Sequence, residues 1–324
     1  MRVFPFFILL ACNTASPWTN APQLFPERQN HAVVTNGSVA FVVGGVSASG
    51  VTLDLFASYT PPKVIPGGWT ALPALPVALH HANVCALGDN VFVLGGFNAL
   101  GADSICLRYS IPSQVWSECT RGSQRAAAAC VVAGERLYLF GGVRDDAVVA
   151  DAQEYDPATD TWRELPQLPV ARSHMGAVFL RGQLHVIGGR TTGLVPTGRV
   201  DTYDPVTRTW SEGPRMLVPR SDYAISSDGV TALIFGGEGN SSDPLGIFAA
   251  VERYDGAVFT RLADMPHARH GMGAAYIVTE LKEEIVISGI KVERTVLSRK
   301  EIFLPGGAEI AGVAPTSHHD FLTQ

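Results

Sequence analysis

The chain has 324 residues and a formal net charge of −6, from 24 Lys and Arg against 30 Asp and Glu. Because no basic cluster offsets this acidic balance, we do not expect nucleic acid as a partner. Only 17% of the residues are charged and 33 are glycine, which favours many strands and tight turns over helices.

The first twelve residues read MRVFPFFILLAC, one arginine followed by an apolar run. The run is shorter than the ~20 residues of a membrane-spanning helix and is typical of a signal peptide. Leu9-Leu10-Ala11-Cys12 resembles the bacterial lipobox, which implies acylation at Cys12 after residues 1–12 direct export, with residues 13–17 as a short tether. Asn13 is not the Asp that retains such lipoproteins at the inner membrane, so the resemblance implies the outer membrane or cell surface. The alternatives are an ordinary cleaved signal and a mis-assigned start codon.

An apolar run that ends in a glycine pair recurs along the rest of the chain. The first glycines of the pairs are Gly44, Gly95, Gly141, Gly188 and Gly236. A sixth unit is assigned to Ser288-Gly289, with a short loop insertion around Thr279–Glu284. Glycine has no Cβ, so such a pair permits positive φ and a close approach by another backbone.

In the first four units the glycine pair is followed by a tyrosine and then by a tryptophan. In Tyr203-Asp204-Pro205, Asp and Pro favour a turn, which predicts that Trp210 returns on a strand beside Tyr203. The tyrosine position holds Tyr59, Tyr109, Tyr155, Tyr203, Tyr254 and Phe303, and the tryptophan position holds Trp69, Trp116, Trp162, Trp210 and Phe259. Large aromatic side chains at fixed places are expected to fill the space between successive sheets.

A period of roughly 50 residues with a glycine pair resembles the kelch repeat. The resemblance covers residues 18–304 and implies an all-β, six-bladed kelch β-propeller with four strands in each blade. Trp18–Leu24 is predicted to close the last blade as its outer strand, beside Arg299–Leu304, which leaves residues 305–324 as a C-terminal tail. The recurring arginines are interpreted as structural because they repeat: Arg28, Arg125, Arg172, Arg220 and Arg269.

Four cysteines follow Cys12, in a compartment where disulfides persist if the chain is exported. Cys106 and Cys119 fall opposite each other in the register that pairs Tyr109 with Trp116, so they are predicted to form a disulfide. Cys85 and Cys130 lie at different offsets after the arginine position and are interpreted as buried free thiols. No cysteine spacing indicates zinc, and neither a metal nor a cofactor is predicted.

In kelch propellers, the residues just after the arginine position and just after the glycine pair line one mouth of the central channel. Carried onto this chain, the first set is Gln29, Asn30, His80, His81, Ala126, Ala127, Ser173, His174, Ser221, Asp222, His270 and Gly271, and the second is Val46, Phe97, Val143, Arg190, Glu238 and Ile290. The ligand-binding candidates are the polar members His174, Arg190, Asp222 and Glu238, with His80, His81 and His270. The alternative is a solvated mouth with ion pairs and no ligand.

The functional interpretation is a lipid-anchored propeller that binds an unidentified protein or glycan of the bacterial cell envelope, its membrane contact made by the lipid anchor alone. Arg190 would bind a carboxylate, and Asp222 or Glu238 would accept hydroxyl groups. The alternative is a periplasmic carbohydrate-active enzyme similar to the sialic-acid mutarotases, with a carboxylate as base. The sequence favours binding, because it contains no catalytic constellation.

Overall fold

The computed structural model describes residues 18–20, 23–24, 26–61, 68–287, 290–308 and 320–323. The predicted signal peptide (residues 1–12), Cys12 and the tether (residues 13–17) lie outside these residues. All regular secondary structure in the described part of the chain is β. No helix there has the length and apolar character that crossing a membrane requires.

The strands are short and follow one another closely along the chain. In chain order, β1 to β30 are Trp18–Asn20, Arg28–Gln29, Ala32–Thr35, Ala40–Val43, Val46–Ser47, Phe56–Thr60, Gly68–Leu72, Val84–Leu87, Asn90–Asn98, Gly101–Ser110, Val115–Glu118, Ala129–Ala133, Arg136–Phe140, Val143–Arg144, Ala147–Val148, Ala152–Asp156, Thr161–Glu164, Gly176–Leu180, Gln183–Ile187, Arg190–Thr191, Val195–Pro196, Val200–Asp204, Thr209–Glu212, Ala224–Ser227, Ala232–Phe235, Val251–Tyr254, Phe259–Arg261, Ala275–Ile287, Ile290–Leu304 and Asp320–Thr323.

The described strands form six four-stranded antiparallel sheets and three two-stranded ribbons. The first strands of the sheets (β3, β8, β12, β18, β24 and β28) contact one another in a closed cycle, in which β28 returns to β3. The fold is therefore an all-β propeller, whose central channel is lined by these six inner strands.

Most glycine pairs lie where the second strand of a sheet ends against the next sheet, whereas Gly95-Gly96 lies within β9. Gly188 and Gly189 have φ of 51° and 88°. A Cβ on Gly189 would lie 2.6 Å from the Ser173 carbonyl oxygen, so only glycine fits. The buried Arg172 guanidinium donates to the Gly188 carbonyl at 2.8 Å. The repeated arginines thus satisfy carbonyl groups at strand ends, as a structural role requires.

Aromatic side chains fill the space between the sheets, as the repeats predict. Tyr203 pairs with Trp210 across β22 and β23, with ring centroids 5.0 Å apart. Trp210 also packs on Phe140 of the preceding sheet at 5.3 Å, and its indole N–H donates to the Pro166 carbonyl at 2.8 Å. The outer strand β23 is therefore fastened to the neighbouring sheet by its tryptophan.

The last sheet differs from the prediction in its strand order, which is β1-β30-β29-β28. Trp18 lies in the outermost strand, as expected, but it pairs with Leu322 rather than with Arg299–Leu304. Asp320–Thr323 lies between them and pairs with β29. The assignment of residues 305–324 to a tail is therefore wrong at its C-terminal end.

The sixth glycine pair is also misplaced in the prediction. Gly306 and Gly307 have φ of 60° and 106°, nearly the values of Gly236 and Gly237, and Arg269 donates to the Gly306 carbonyl at 2.9 Å. The predicted pair, Ser288-Gly289, lies outside the described residues, and the predicted loop Thr279–Glu284 lies within strand β28. Leu322, not Phe303, occupies the tyrosine position. It pairs with Trp18 on one side and with Ile302 on the other, and Tyr203 pairs in the same way with Trp210 and Leu184.

The four cysteines within the described residues form two disulfides. Cys106 and Cys119 are bonded within the second sheet, with Cα atoms 5.0 Å apart, as predicted. Cys85 and Cys130 are also bonded, with Cα atoms 6.0 Å apart, so their interpretation as free thiols is wrong. Their different offsets place them on opposite faces of β8 and β12. In successive sheets of a propeller, one face of each sheet packs against the opposite face of the next. The two cysteines can therefore form a disulfide between the sheets.

Candidate ligand site at one mouth of the channel

A closed ring of backbone hydrogen bonds surrounds the channel at the predicted mouth. Its members are Asn30, His81, Ala127, His174, Asp222 and Gly271, which all have φ between 47° and 60°. Each N–H donates to the carbonyl of the preceding member at 2.6–3.0 Å, and Asn30 donates to Gly271 to close the cycle. We call these residues the backbone ring. It fixes the positions of six Cα atoms around one axis, five of which carry side chains.

A second layer of residues pairs around the backbone ring. The residue before each ring member makes a single β-bridge with the residue after a glycine pair: Gln29–Val46, His80–Phe97, Ala126–Val143, Ser173–Arg190, Ser221–Glu238 and His270–Ala308. The structure therefore brings the two predicted sets together, with one correction. Ala308 takes the place predicted for Ile290, which pairs with Ile287 at the end of the β28–β29 hairpin.

Three predicted histidines follow one another around this mouth. His80 Nδ1 lies 2.7 Å from His81 Nδ1, and the rings of His81 and His174 are 4.9 Å apart in an edge-to-face arrangement. His174 Nε2 accepts a hydrogen bond from Arg190 at 3.0 Å. His174 of unit four is thus linked directly to the arginine, and the two histidines of unit two are linked to it through His174.

The acidic candidates complete the cluster. Arg190 forms an ion pair with Glu238, and both side chains remain partly exposed, at 19% and 16%. His270 Nδ1 lies 2.8 Å from Asp222 Oδ2 and 3.8 Å from a Glu238 oxygen. All seven sequence-predicted candidates therefore belong to one connected network, which spans the mouth.

Burial in this network shifts several pKa values. Burial lowers the pKa of His174 to about 4 and that of His81 well below its usual value, which keeps both imidazoles neutral at pH 7. Burial, the largest single effect, opposes ionisation of Asp222, but the hydrogen bond from His270 and the electrostatic attraction of the neighbouring histidines together outweigh it, and the Asp222 pKa falls below its usual value. Burial and the nearby Asp222 charge raise the pKa of Glu238. The two carboxyl groups thus differ in acidity.

A pocket of about 360 Å³ opens beside the arginine. Its walls include Arg190, Glu238, Leu194, residues 239–241 and Gly246. Leu194 is 68% exposed, and Leu245, which precedes Gly246 in the chain, is 45% exposed. Exposed apolar side chains around charged groups are typical of surfaces that bind other proteins.

The rest of the channel is less polar. A cavity of about 110 Å³ lies at the backbone ring, between the side chains of Asn30, His81, His174 and Asp222. Towards the other opening the inner strands present mainly aliphatic side chains, among them Val84, Val178 and Ile225. The charged groups are therefore concentrated at one mouth.

Two groups of side chains at this mouth have the donors of a metal site. His81, His174 and Asp222 each bring one ligand atom within 4.8 Å of the others, and so do Asp222, Glu238 and His270. The sequence did not predict this, because the donors come from units two, four, five and six and have no common spacing.

Comparison with known proteins assigns the chain to a family. The profile of the KLHDC2/KLHL20/DRC7 kelch-repeats domain matches residues 30–237. The chain belongs to the kelch-repeat family. The Kelch-like protein terF of Aspergillus terreus is 29% identical over 304 residues, which cover 84% of this chain and 64% of terF. Human Kelch-like protein 33 is 31% identical over 127 residues, 37% of this chain and 24% of that protein.

This kelch chain spans less than two thirds of the length of these relatives. Among solved structures, the one titled "Structure of YjhT" superposes with a TM-score of 0.72 over 92% of this chain and 95% of that one. The two sequences are 12% identical, so the likeness shows the fold alone. A kelch propeller is consistent with a protein-binding module.

Some residues of the mouth were not selected from the sequence as candidates. Ser173 donates to or accepts from His174 Nδ1 at 3.0 Å, and Ser221 lies 3.4 Å from Glu238. The exposed Leu194 and Leu245 sit in loops of variable length after the glycine pairs, where repeat spacing gives no register. Only the position of each serine, directly after a recurring arginine, signalled its place at the mouth.

Proposed function

We propose that this chain is a six-bladed kelch propeller that binds a protein partner of the bacterial cell envelope through the mouth around Arg190. The six four-stranded sheets support that blade count, as does the backbone ring with one member from each inner segment. The segment bound would be an extended peptide that carries a carboxylate, either an acidic side chain or a chain end.

The half-buried pair Arg190–Glu238 carries this proposal. A guanidinium with two parallel N–H groups binds a carboxylate more specifically than an ammonium does. An incoming carboxylate would take over Arg190 from Glu238, whose raised pKa lets it accept a proton when it loses its partner. Leu194 and Leu245 would cover the apolar part of the peptide.

A binding screen tests the proposal. The chain from Asn13 onward would be probed with envelope proteins and glycans, and Arg190→Ala is expected to lower affinity for the captured partner at least about tenfold. Arg215→Ala is the matched control, because Arg215 forms an exposed pair with Glu212. A partner that binds the Arg190 variant and the wild type equally would contradict a site at this mouth.

The proposed location rests on the N-terminal sequence. Acylation of Cys12 would anchor the propeller at the outer membrane or cell surface, and two disulfides suit an oxidising compartment. In detergent phase partitioning, Cys12→Ala is expected to move the protein from the detergent phase to the aqueous phase. Mass spectrometry should show that the variant lacks the mass of the lipid. An unchanged mass in the Cys12 variant would contradict lipidation.

A second candidate function is that of a carbohydrate-active isomerase similar to the sialic-acid mutarotases. It is favoured by Glu238, a carboxyl group of raised pKa in a pocket beside Arg190 and His270, as expected of a general acid or base. Sugar anomerisation followed by NMR would distinguish the two functions. Glu238→Gln should abolish the exchange if this function is correct, and no exchange by the wild type across sugars would leave binding alone.

A further inference from the structure

Three side chains that the backbone ring directs into one cavity form a set of metal donors. His81, His174 and Asp222 line the cavity of about 110 Å³ at the ring, and their donor atoms lie within 4.8 Å of one another. We propose that these three residues bind one divalent transition-metal ion of the zinc class. This site is separate from the peptide function proposed above and does not depend on it.

The chemistry of the donors selects the ion. Two imidazole nitrogens with one carboxylate oxygen are a common ligand set for Zn²⁺, Co²⁺ and Fe²⁺, whereas Mg²⁺ and Ca²⁺ prefer oxygen ligands alone. Three protein ligands leave at least one coordination position for water or for a donor atom of a bound molecule. The site would therefore be an open one.

Each of the three donors is oriented by a hydrogen-bond partner on its far side. His81 Nδ1 contacts His80 Nδ1 at 2.7 Å, and His174 Nδ1 contacts the Ser173 hydroxyl at 3.0 Å. Asp222 Oδ2 contacts His270 Nδ1 at 2.8 Å. Partners of this kind fix the orientation of the imidazole ring or carboxylate of a metal ligand, so that its second ring nitrogen or second oxygen can coordinate the ion.

The backbone holds the three ligands before any ion arrives. All three are members of the backbone ring, so their main chains are fixed by hydrogen bonds of 2.8–3.0 Å. A fourth ring member, Asn30, lines the same cavity, and its buried side-chain oxygen has no hydrogen-bond partner among the described residues. An unsatisfied oxygen beside two histidines and a carboxylate is a feature that a cation or its bound water would satisfy.

Charge limits the site to one ion. Asp222 and Glu238 provide two carboxyl groups and Arg190 one guanidinium, so the network balances one added dication better than two. The overlapping group, Asp222 with Glu238 and His270, shares the same carboxylate and is partly occupied by the Arg190–Glu238 pair. We therefore assign the ion to the first group.

Arg190 competes with the ion, and this gives the proposal its sharpest test. Arg190 donates to His174 Nε2 at 3.0 Å, the nitrogen that would coordinate the metal. The guanidinium must withdraw before the ion binds. Removing it is expected to strengthen metal binding, a gain that a misfolded variant cannot mimic.

The experiment is calorimetric titration of the full chain with ZnCl₂, paired with the visible spectrum of the Co²⁺ form. We expect one ion per chain, affinity lowered at least about tenfold by Asp222→Asn and by His81→Gln, and affinity raised by Arg190→Gln. His267→Gln, at an exposed histidine outside the network, is the matched control and should bind as the wild type does.

Two results would overturn the proposal: no binding of Zn²⁺ or Co²⁺ by the wild type, or binding that Asp222→Asn and His81→Gln both leave unchanged. Arg190→Gln separates this proposal from the peptide function, because it should weaken peptide binding and strengthen metal binding. Loss of peptide binding with unchanged metal affinity would contradict the role of Arg190 here while leaving the peptide site intact.

Discussion

Two arginines of the same repeat show how this fold separates structural charge from charge at the surface. Arg172 is fully buried, donates to the Gly188 carbonyl and pairs with the buried Asp201 at 2.5 Å. Arg190 follows the glycine pair, is 19% exposed and pairs with Glu238 across the mouth. The first position recurs as arginine in five units, whereas the second is arginine only in unit four.

The difference indicates that a residue type that recurs in most repeats serves packing, whereas a charged residue found at its position in one repeat alone identifies a candidate site. A buried arginine without its partners would leave an uncompensated charge between sheets. A mouth arginine can exchange one carboxylate for another because water reaches it. The predictions below test this contrast by its effect on the free energy of unfolding, from the largest effect to the smallest.

The largest loss is expected at the buried pair of unit five. Glu252 pairs with Arg220, and both side chains are fully buried. Glu252 also accepts from the N–H groups of Leu217 and Val218. Glu252→Ala should lower the free energy of unfolding by ~3–5 kcal/mol, measured by denaturant titration. Glu212→Ala, at an exposed pair, is the control and should change it by less than ~0.5 kcal/mol.

The disulfide between two sheets is expected to contribute more to the free energy of unfolding than the disulfide within one sheet. Cys85–Cys130 joins two sheets and spans 45 residues, whereas Cys106–Cys119 lies within one sheet and spans 13. Loop entropy predicts losses of about 4 and about 3 kcal/mol when each pair is replaced by alanine. Thermal unfolding of the two double variants checks the order, and a greater loss from the shorter loop would contradict it.

A buried histidine should make stability depend on pH. His185 is 3% exposed, donates from Nε2 to the Leu180 carbonyl and accepts from the Tyr254 hydroxyl at 3.0 Å, which requires the neutral ring. Burial lowers its pKa below the usual value. The unfolded chain therefore binds the proton first, and stability falls as the pH drops below ~6.5, by up to ~1.4 kcal/mol per pH unit.

His185→Gln is expected to flatten that slope between about pH 6.5 and pH 5, measured by denaturant titration at each pH. Gln167→Ala, at an exposed residue whose side chain does not titrate, is the control and should leave the slope unchanged. If both variants kept the wild-type slope, another buried group would be responsible for the dependence.

The smallest effect on stability is expected at the mouth. Arg190→Ala should change the free energy of unfolding by less than ~1 kcal/mol, because its ion pair is partly exposed. The same variant should lose the peptide partner, as proposed above. A loss of stability as large as that of the Glu252 variant would remove the distinction between the two kinds of arginine.

The sequence allowed the first five units to be predicted, because Gly44 to Gly236 recur at nearly constant spacing. It misplaced the sixth because the long β28–β29 hairpin displaces Gly306-Gly307, while Ser288-Gly289 happens to match the expected interval. Cys85–Cys130 was missed because the different offsets predict opposite strand faces, and it is opposite faces that pack together in successive sheets.

The candidate site was predicted only in part. The arginine and glycine positions identified the mouth residues, but nothing in their residue types indicated that His81, His174 and Asp222 adopt positive φ in a closed ring. That conformation is imposed by hydrogen bonds between units. It depends on the whole cycle and on no local motif.

The last sheet brings strand β1, near the start of the chain, against strand β30, near its end. During synthesis, Trp18–Asn20 leaves the ribosome long before Asp320–Thr323, the strand on which it pairs. The five other sheets can form as they emerge, but the sixth must wait until Asp320–Thr323 has been synthesised. Ring closure is then a contact between residues far apart in sequence, such as Trp18 and Leu322, and such contacts form slowly. A circular permutant that links Asp320–Thr323 directly to Trp18–Asn20 and opens the chain between two regular sheets would shorten that wait.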